Sequence, residues 1–364
     1  MNIARLEASA YRILTDRPEA DGTLDWDSTT IVVVEAVGSN GWAGLGYSYT
    51  AAAAVPLIAE LLAPEVSGRS TAEVPAVTEA MVRRVRNVGL AGLVATAISA
   101  VDVALWDLRA RELGLALVDL LGRRRDAVDV YGSGLFTTYA EDELARQACD
   151  WVEAGIRRVK MKIGLDAGQR AGDDLVRVAA VRRRIGDEVE LMVDANGAYR
   201  PKQAALVAGN LAASGVSYFE EPVPSNRPAD LAFVRRSAPM DVAAGEYAYS
   251  SGDFLRLLRA EAVDILQADA TRCLGATGWQ AAAALAEAFG VGFSAHTAPA
   301  LHAHLGCTAP RLDHVEYFHD HVRIEGLLFD GVPGLVDGRL QPDHGRPGLG
   351  LEFKRRDAAR WRVA

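Results

Sequence analysis

The hydrophobic pattern changes rhythm twice along the chain. Near the N-terminus Thr30-Ile31-Val32-Val33-Val34-Glu35-Ala36-Val37 is apolar and β-branched, a strand signature. The first ~30 residues read as two strands joined by a long loop. That loop is the turn-forming stretch Asp21-Gly22-Thr23-Leu24-Asp25-Trp26-Asp27. From Ala51 onward the spacing becomes helical. Ile98, Val101, Leu105 and Leu108 recur at intervals of three and four, which predicts a helix over 96–111.

From about Val128 short apolar runs alternate with amphipathic segments. The runs are 128–131, 158–162, 191–194, 218–221, 242–246, 265–269, 292–296 and 314–317. Eight strand candidates separated by helices predict a parallel (β/α)-barrel. Segment 201–214, opened by Pro201 and closed by Gly215, is a representative helix. No GxGxxG follows an early strand, which argues against an open doubly wound sheet. After about Phe329 the rhythm stops, and 331–350 is rich in Gly, Pro and Asp. The tail is too short for a domain and is expected to return onto the N-terminal part.

Composition narrows the partners. The 364 residues have room for a large barrel and a companion domain. A net charge of −9 makes nucleic acid and anionic membranes unexpected partners, while a local positive pocket still suits a small acid. Cys149, Cys273 and Cys307 are far apart and match no zinc spacing, so a reduced, cytoplasmic compartment is expected. No signal peptide is apparent. The most apolar run, 87–101, is broken by Gly89 and Gly92 and falls short of the ~20 residues a membrane span needs.

Most of the predicted strands end in an ionisable residue. At the C-terminal face of a parallel barrel such residues point into the mouth. Asp194, Glu220 and Glu246 follow one another at intervals of 26 residues on consecutive strands, so their carboxylates converge. Three carboxylates repel, a divalent cation relieves that repulsion, and an all-oxygen set favours Mg2+ over zinc. Glu221 is the neighbouring alternative to Glu220; strand alternation lets only one of the two face the metal. Lys160 and Lys162 share one face of their strand, and each is expected to lower the other's pKa toward that of a usable base. Asp269 and His296 end the sixth and seventh barrel strands, where the acid fixes the imidazole tautomer and raises its basicity. His302 and His304 read as packing or surface residues, and His319 and His321 receive no role. Glu316, if buried and protonated, can donate to substrate. Tyr47 and Tyr49 read as core aromatics, with lining of the mouth as the alternative.

Together, Lys160-Met161-Lys162, Asp194-Ala195-Asn196, Glu220-Glu221-Pro222, Ala244-Gly245-Glu246, Asp269 and His296 resemble the mandelate racemase group of the enolase superfamily over nearly the whole chain. The resemblance implies an α/β fold: a modified TIM (β/α)-barrel with an α+β N-terminal capping domain completed by the C-terminal tail. The bounds expected are 1–125, 126–325 and 326–364. It implies that Asp194, Glu220 and Glu246 bind magnesium, and that Lys162 and His296 are bases on opposite substrate faces. It also implies that Lys160 neutralises the substrate carboxylate, Asn196 touches the substrate near its α-hydroxyl, and Glu316 donates to a carboxylate oxygen. A symmetric homo-oligomer is implied as well.

The chemistry is coherent by itself. Removing a proton next to a carboxylate gives an enediolate, which must be neutralised as it forms. With bases on two faces, two fates are open: a β-hydroxyl leaves, or the carbon is reprotonated from the other side. Dehydration of a hydroxylated sugar acid is the favoured expectation, and racemisation or epimerisation the alternative. A non-catalytic metal-binding barrel is disfavoured because both bases are retained, and a cycloisomerase is expected to carry a different base pattern.

Overall fold

The computed structural model describes residues 1–364. The chain opens with an antiparallel sheet in the order β1 (Ile3–Ala20), β2 (Asp25–Gly38) and β3 (Ala43–Tyr49). The long loop expected over 21–27 is a tight turn instead. Asp21 Oδ1 accepts from the backbone N–H of Thr23 at 2.6 Å and of Leu24 at 2.8 Å, so the strand resumes at Asp25. β3 carries no strand signal because it contains Gly44 and Gly46. Both lie under the helix Leu93–Leu113, where a Cβ on Gly46 would stand 2.2 Å from Ala100 O and one on Gly44 2.3 Å from Ala104 O. That helix runs past both predicted ends and stops at Gly114, which adopts φ 66°.

The barrel follows. Its strands are β4 (Val128–Gly134), β5 (Arg158–Lys162), β6 (Glu190–Asp194), β7 (Val216–Glu220), β8 (Asp241–Ala244), β9 (Ile265–Ala268), β10 (Gly292–Ala295) and β11 (Leu312–Phe318). Each pairs in parallel with the next, and β11 pairs with β4 to close the ring. Every predicted run falls on one of these strands. A core of 21 buried residues packs around the helix Leu93–Leu113, and a separate one of 76 is dominated by the barrel strands and their helices. Inside the barrel Tyr131, Met192, Tyr218, Ala243 and Ile265 form a small plug beneath the site.

The tail returns, but not only to the N-terminal part. Arg339–Leu340 pairs antiparallel with Asp129 and Val128 of β4, at the start of the first barrel strand. Glu352–Phe353 pairs with Phe329–Asp330, Arg355 reaches Glu35 of β2, and Tyr11 of β1 bridges Arg362. All three cysteines are free. No helix is long and apolar enough to cross a membrane.

Candidate active site

The register of three adjacent strands builds one side of the site. Lys162 is the β-partner of Asp194, and Asp194 of Glu220. Lys160 Nζ lies 2.6 Å from Glu220 Oε2, 2.9 Å from Glu316 Oε1 and 3.6 Å from Asp194 Oδ2. Lys162 Nζ lies 2.5 Å from Asp194 Oδ2 and 3.1 Å from Asn196 Oδ1. Asn196, at φ 45°, also donates its backbone N–H to Asp194 Oδ1 at 2.9 Å, which holds the turn after β6. The lowered lysine pKa expected from the KxK pair is corrected here. Burial is the largest influence and favours the neutral amines, but Asp194, Glu246 and Glu220 together outweigh it at Lys162, and Glu220, Glu316, Tyr131 and Asp194 together outweigh it at Lys160. Both pKa values are raised while the ammonium groups pair with these acids.

The opposite side is set by residues just beyond β8, β9 and β10. Gly245, at φ 140°, passes so close to β9 that a Cβ would stand 2.0 Å from Gln267 O. Only glycine fits there, and it delivers Glu246 to the mouth. His296 bridges two acids, with Nδ1 2.8 Å from Asp269 Oδ2 and Nε2 2.8 Å from Glu246 Oε2. Burial disfavours its charge, yet Glu246 and the bond to Asp269 raise its pKa to about 10. Asp269 resists burial through that bond and stays well below the usual carboxylate range. Arg272, one turn beyond Asp269, lies 3.4 Å from it and 3.5 Å from Glu246. The sequence reading missed Arg272; its only signal is the spacing of three from a candidate site acid.

Glu316 departs from expectation. Burial would raise its carboxyl, but Lys160 and His296 hold it ionised, and it accepts the Thr297 N–H at 2.9 Å. As placed, it is an acceptor paired with Lys160, not a protonated donor. Strand alternation also fails to separate Glu220 from Glu221. Glu221 lies past the end of β7 at φ 37°, and its pKa is raised by burial and by Glu246, Asp194 and Glu220.

The acids fit a hard cation. Glu220 Oε1 and Glu221 Oε1 are buried without a hydrogen-bond partner, a costly state that a cation or proton relieves. Burial and Asp194 raise Glu220 to about 7. The ligand atoms of Asp194, Glu220 and Glu246 do not close to within 4.8 Å of one another; the ammonium groups and the imidazole contact the acids instead. Asp16, Glu19 and His319 do come that close, but they are not among these acids; His319 pairs with Asp16 near the surface, and Glu19 is buried.

The mouth opens into a cavity of about 410 Å³ lined by Lys162, Asn196, Glu246, Asp269, His296 and Glu316. The N-terminal sheet and the turn between β1 and β2 supply the cover: Asp21, Leu24, Trp26, Thr30 and Tyr49. Trp26 Nε1 is anchored on buried Glu19 at 2.8 Å. Tyr47 does not reach the cavity and donates to Glu325 at 2.6 Å in the core. A larger cleft of about 560 Å³, between Trp42, Arg111 and Arg346, holds none of these acids or bases. His302 and His304 are structural: His302 links Thr297 O to the Ala270 N–H, and His304 contacts Leu349 O.

A closed parallel barrel under an antiparallel cap, with acids, lysines and an Asp–His pair at its C-terminal mouth, defines the class, and the family follows. Residues 143–358 match the "Enolase C-terminal domain-like" family and residues 16–122 the "Mandelate racemase / muconate lactonizing enzyme, N-terminal domain" family. The chain belongs to the mandelate racemase/muconate lactonizing enzyme family of the enolase superfamily. It is an enzyme of that superfamily, whose cofactor is Mg2+.

It is similar to a solved mandelate racemase/muconate lactonizing enzyme-like protein from Rubrobacter xylanophilus, with 47% identity, TM-score 0.96 and 100% of each chain covered. A solved racemase from Streptomyces coelicolor A3(2) with bound magnesium gives 28% identity and TM-score 0.94, over 99% of this chain and 100% of that one. The L-talarate/galactarate dehydratase of Salmonella typhimurium is 30% identical over 335 residues, 91% of this chain and 82% of its own. Other relatives are named as dehydratases, cycloisomerases and an epimerase.

Proposed function

We propose that this enzyme removes the proton α to the carboxylate of a hydroxylated sugar acid and expels the β-hydroxyl, giving a 2-keto-3-deoxy acid. One observation carries the reading. A single polar cavity is lined by Lys162, the Asp269–His296 pair, Glu246 and Glu316, with Asp194 buried directly against Lys162. In this reading Asp194, Glu220 and Glu246 hold magnesium, which when bound offsets the negative charge that develops on the substrate carboxylate. Lys160, buried against Glu220 and Glu316, adds positive charge at the base of the site. Lys162 takes the α-proton as a neutral amine, a state that a cation held on Asp194 would favour by replacing the ammonium as that carboxylate's counter-charge, and Asn196, 3.1 Å from it, orients it and meets the α-hydroxyl. His296, held charged by Glu246 and Asp269, is poised as the general acid that protonates the departing hydroxyl.

The relatives named as sugar-acid dehydratases support this outcome. Racemisation or epimerisation uses the same two bases and remains the second reading, supported by the relative named as an L-Ala-D/L-Glu epimerase. We also propose a homo-oligomer in a reducing, cytoplasmic setting, to be checked by light scattering. The functional test is a screen of aldonates and aldarates with magnesium for 2-keto-3-deoxy products. Products from at least one sugar acid are expected. Exchange of the α-proton without any keto product would shift the assignment to epimerisation, and neither reaction with any acid would overturn it.

A further inference from the structure

We propose that His321 is a substrate-binding, specificity-determining residue that donates its Nε2–H to a hydroxyl on the chain of the sugar acid. The proposal rests on the sugar-acid reading above and names the group that would recognise the hydroxylated part of the substrate.

His321 sits in the helix Leu-rich at its end, His319–Leu328, that follows the last barrel strand. Its Nδ1 accepts the backbone N–H of Ala298 at 3.3 Å. An acceptor nitrogen carries no proton, so the proton of the neutral ring is on Nε2. That nitrogen has no hydrogen-bond partner in the protein, and it is not among the fully buried unpaired atoms. The ring is only 7% exposed, and it lines the cavity that holds Lys162 and His296. The one free donor of the ring therefore opens toward the substrate space.

The ring is also fixed in place. It stacks on Tyr49 of β3 with centroids 3.3 Å apart and planes 11° apart, and Phe318 meets it edge-on at 5.0 Å. A donor held on three sides loses little freedom on binding. Burial and the nearby His296 charge keep the ring neutral, with Asp269 and Glu316 opposing and Arg272 reinforcing them. A neutral imidazole suits a hydroxyl, which needs a donor and brings no charge to balance. Thr30 adds a hydroxyl to the same wall.

Ala298, at φ 41°, belongs to the turn carrying His296, so loss of His321 also frees a turn N–H. The test must separate this structural effect from substrate contact. It uses the magnesium-loaded enzyme, the sugar acid with the highest kcat/KM in the screen, and its mono-deoxy analogues. His321→Ala and His321→Phe are each compared with wild type on the parent and every analogue. For the parent, kcat/KM should fall roughly 10–100-fold, the range of a lost buried hydrogen bond. For one analogue, lacking the contacted hydroxyl, the variants should lose less than threefold relative to wild type. Equal losses on the parent and every analogue would mean that His321 acts only through the turn, and would overturn the proposal while leaving the sugar-acid reading intact. Unchanged kinetics on all substrates would overturn it too. Wild type inactive on the whole panel would overturn both.

Discussion

Asp269 Oδ2 meets His296 Nδ1 at 2.8 Å, with Asp269 fully buried and ionised. The carboxylate therefore accepts the hydrogen bond from Nδ1–H and leaves Nε2 toward Glu246 and the cavity. Asp269→Asn keeps the shape but removes the charge that selects this tautomer. It is expected to lower kcat by roughly 10²–10⁴-fold with little change in KM. A loss under threefold in steady-state kinetics would remove the pair from the mechanism.

Metal content separates the two adjacent glutamates. Glu220 contacts Lys160 and Tyr218, whereas Glu221 lies beyond the strand end. Glu220→Gln should lose bound magnesium and activity together, and Glu221→Gln should keep the metal, as read by elemental analysis after dialysis. The reverse pattern would identify Glu221 as the ligand. Chelation should abolish wild-type turnover, and added magnesium should restore it.

The barrel was legible because its strands are short, β-branched or apolar, and most end in, or are followed within two residues by, an ionisable residue that a core would not tolerate. Asp194, Glu220, Glu246, Asp269 and His296 stand out for that reason. The cap was less legible. β1 and β3 owe their pairing to neighbours, and the glycines of β3 are set by the helix above them, not by strand propensity. Arg272 and His321 went unassigned, and Tyr49 read as a core aromatic, because they lie on a turn, a late helix and a cap strand, which meet the barrel mouth only after folding. The charge states of Lys162 and Glu316 likewise depend on partners from other strands.

Close packing of the cap gives a stability prediction. The backbone of Gly46 touches the helix Leu93–Leu113, and an added Cβ would meet Ala100 O at 2.2 Å and Ala104 N at 2.4 Å. Neither atom belongs to a side chain that can rotate away. Gly46→Ala should cost on the order of 1–3 kcal/mol and lower the unfolding temperature. An unchanged melting curve would contradict this packing.

Glu325 carries a pH signature away from the metal site. Burial raises its carboxyl to about 8, and the bonds from Tyr47 and the Ala300 N–H offset that only in part. The folded form thus holds a proton that the unfolded chain, with an ordinary value of 4.5, releases. Its contribution to stability is fully present below 4.5 and is lost as pH rises toward about 8. His304, lowered to about 4 by burial, acts in the opposite sense, so the difference between variant and wild type is the useful quantity. Relative to wild type, Glu325→Gln should gain stability as pH rises from 5 to 8 in urea titrations (roughly the window set by this shift). Parallel pH profiles would show that Glu325 is ionised in the fold.

The two bases can be told apart by the step each one controls. Lys162 rests on Asp194 and His296 on Glu246, so they approach the cavity from different strands, β5 and the end of β10. In the proposed mechanism each reaches the α-carbon from one face only. For a substrate whose α-proton faces Lys162, Lys162→Ala should stop both exchange of that proton with deuterated water and product formation. His296→Asn should stop product formation but leave exchange, because the proton is still removed while the β-hydroxyl has no acid to protonate it as it leaves. Each loss should be roughly 10²–10⁴-fold, well within reach of mass spectrometry and a keto-acid assay. The mirror result would make His296 the abstracting base and Lys162 the acid, with the same fold and metal site. Near-wild-type turnover in both variants would rule out acid–base chemistry by this pair and require another proton acceptor in the cavity.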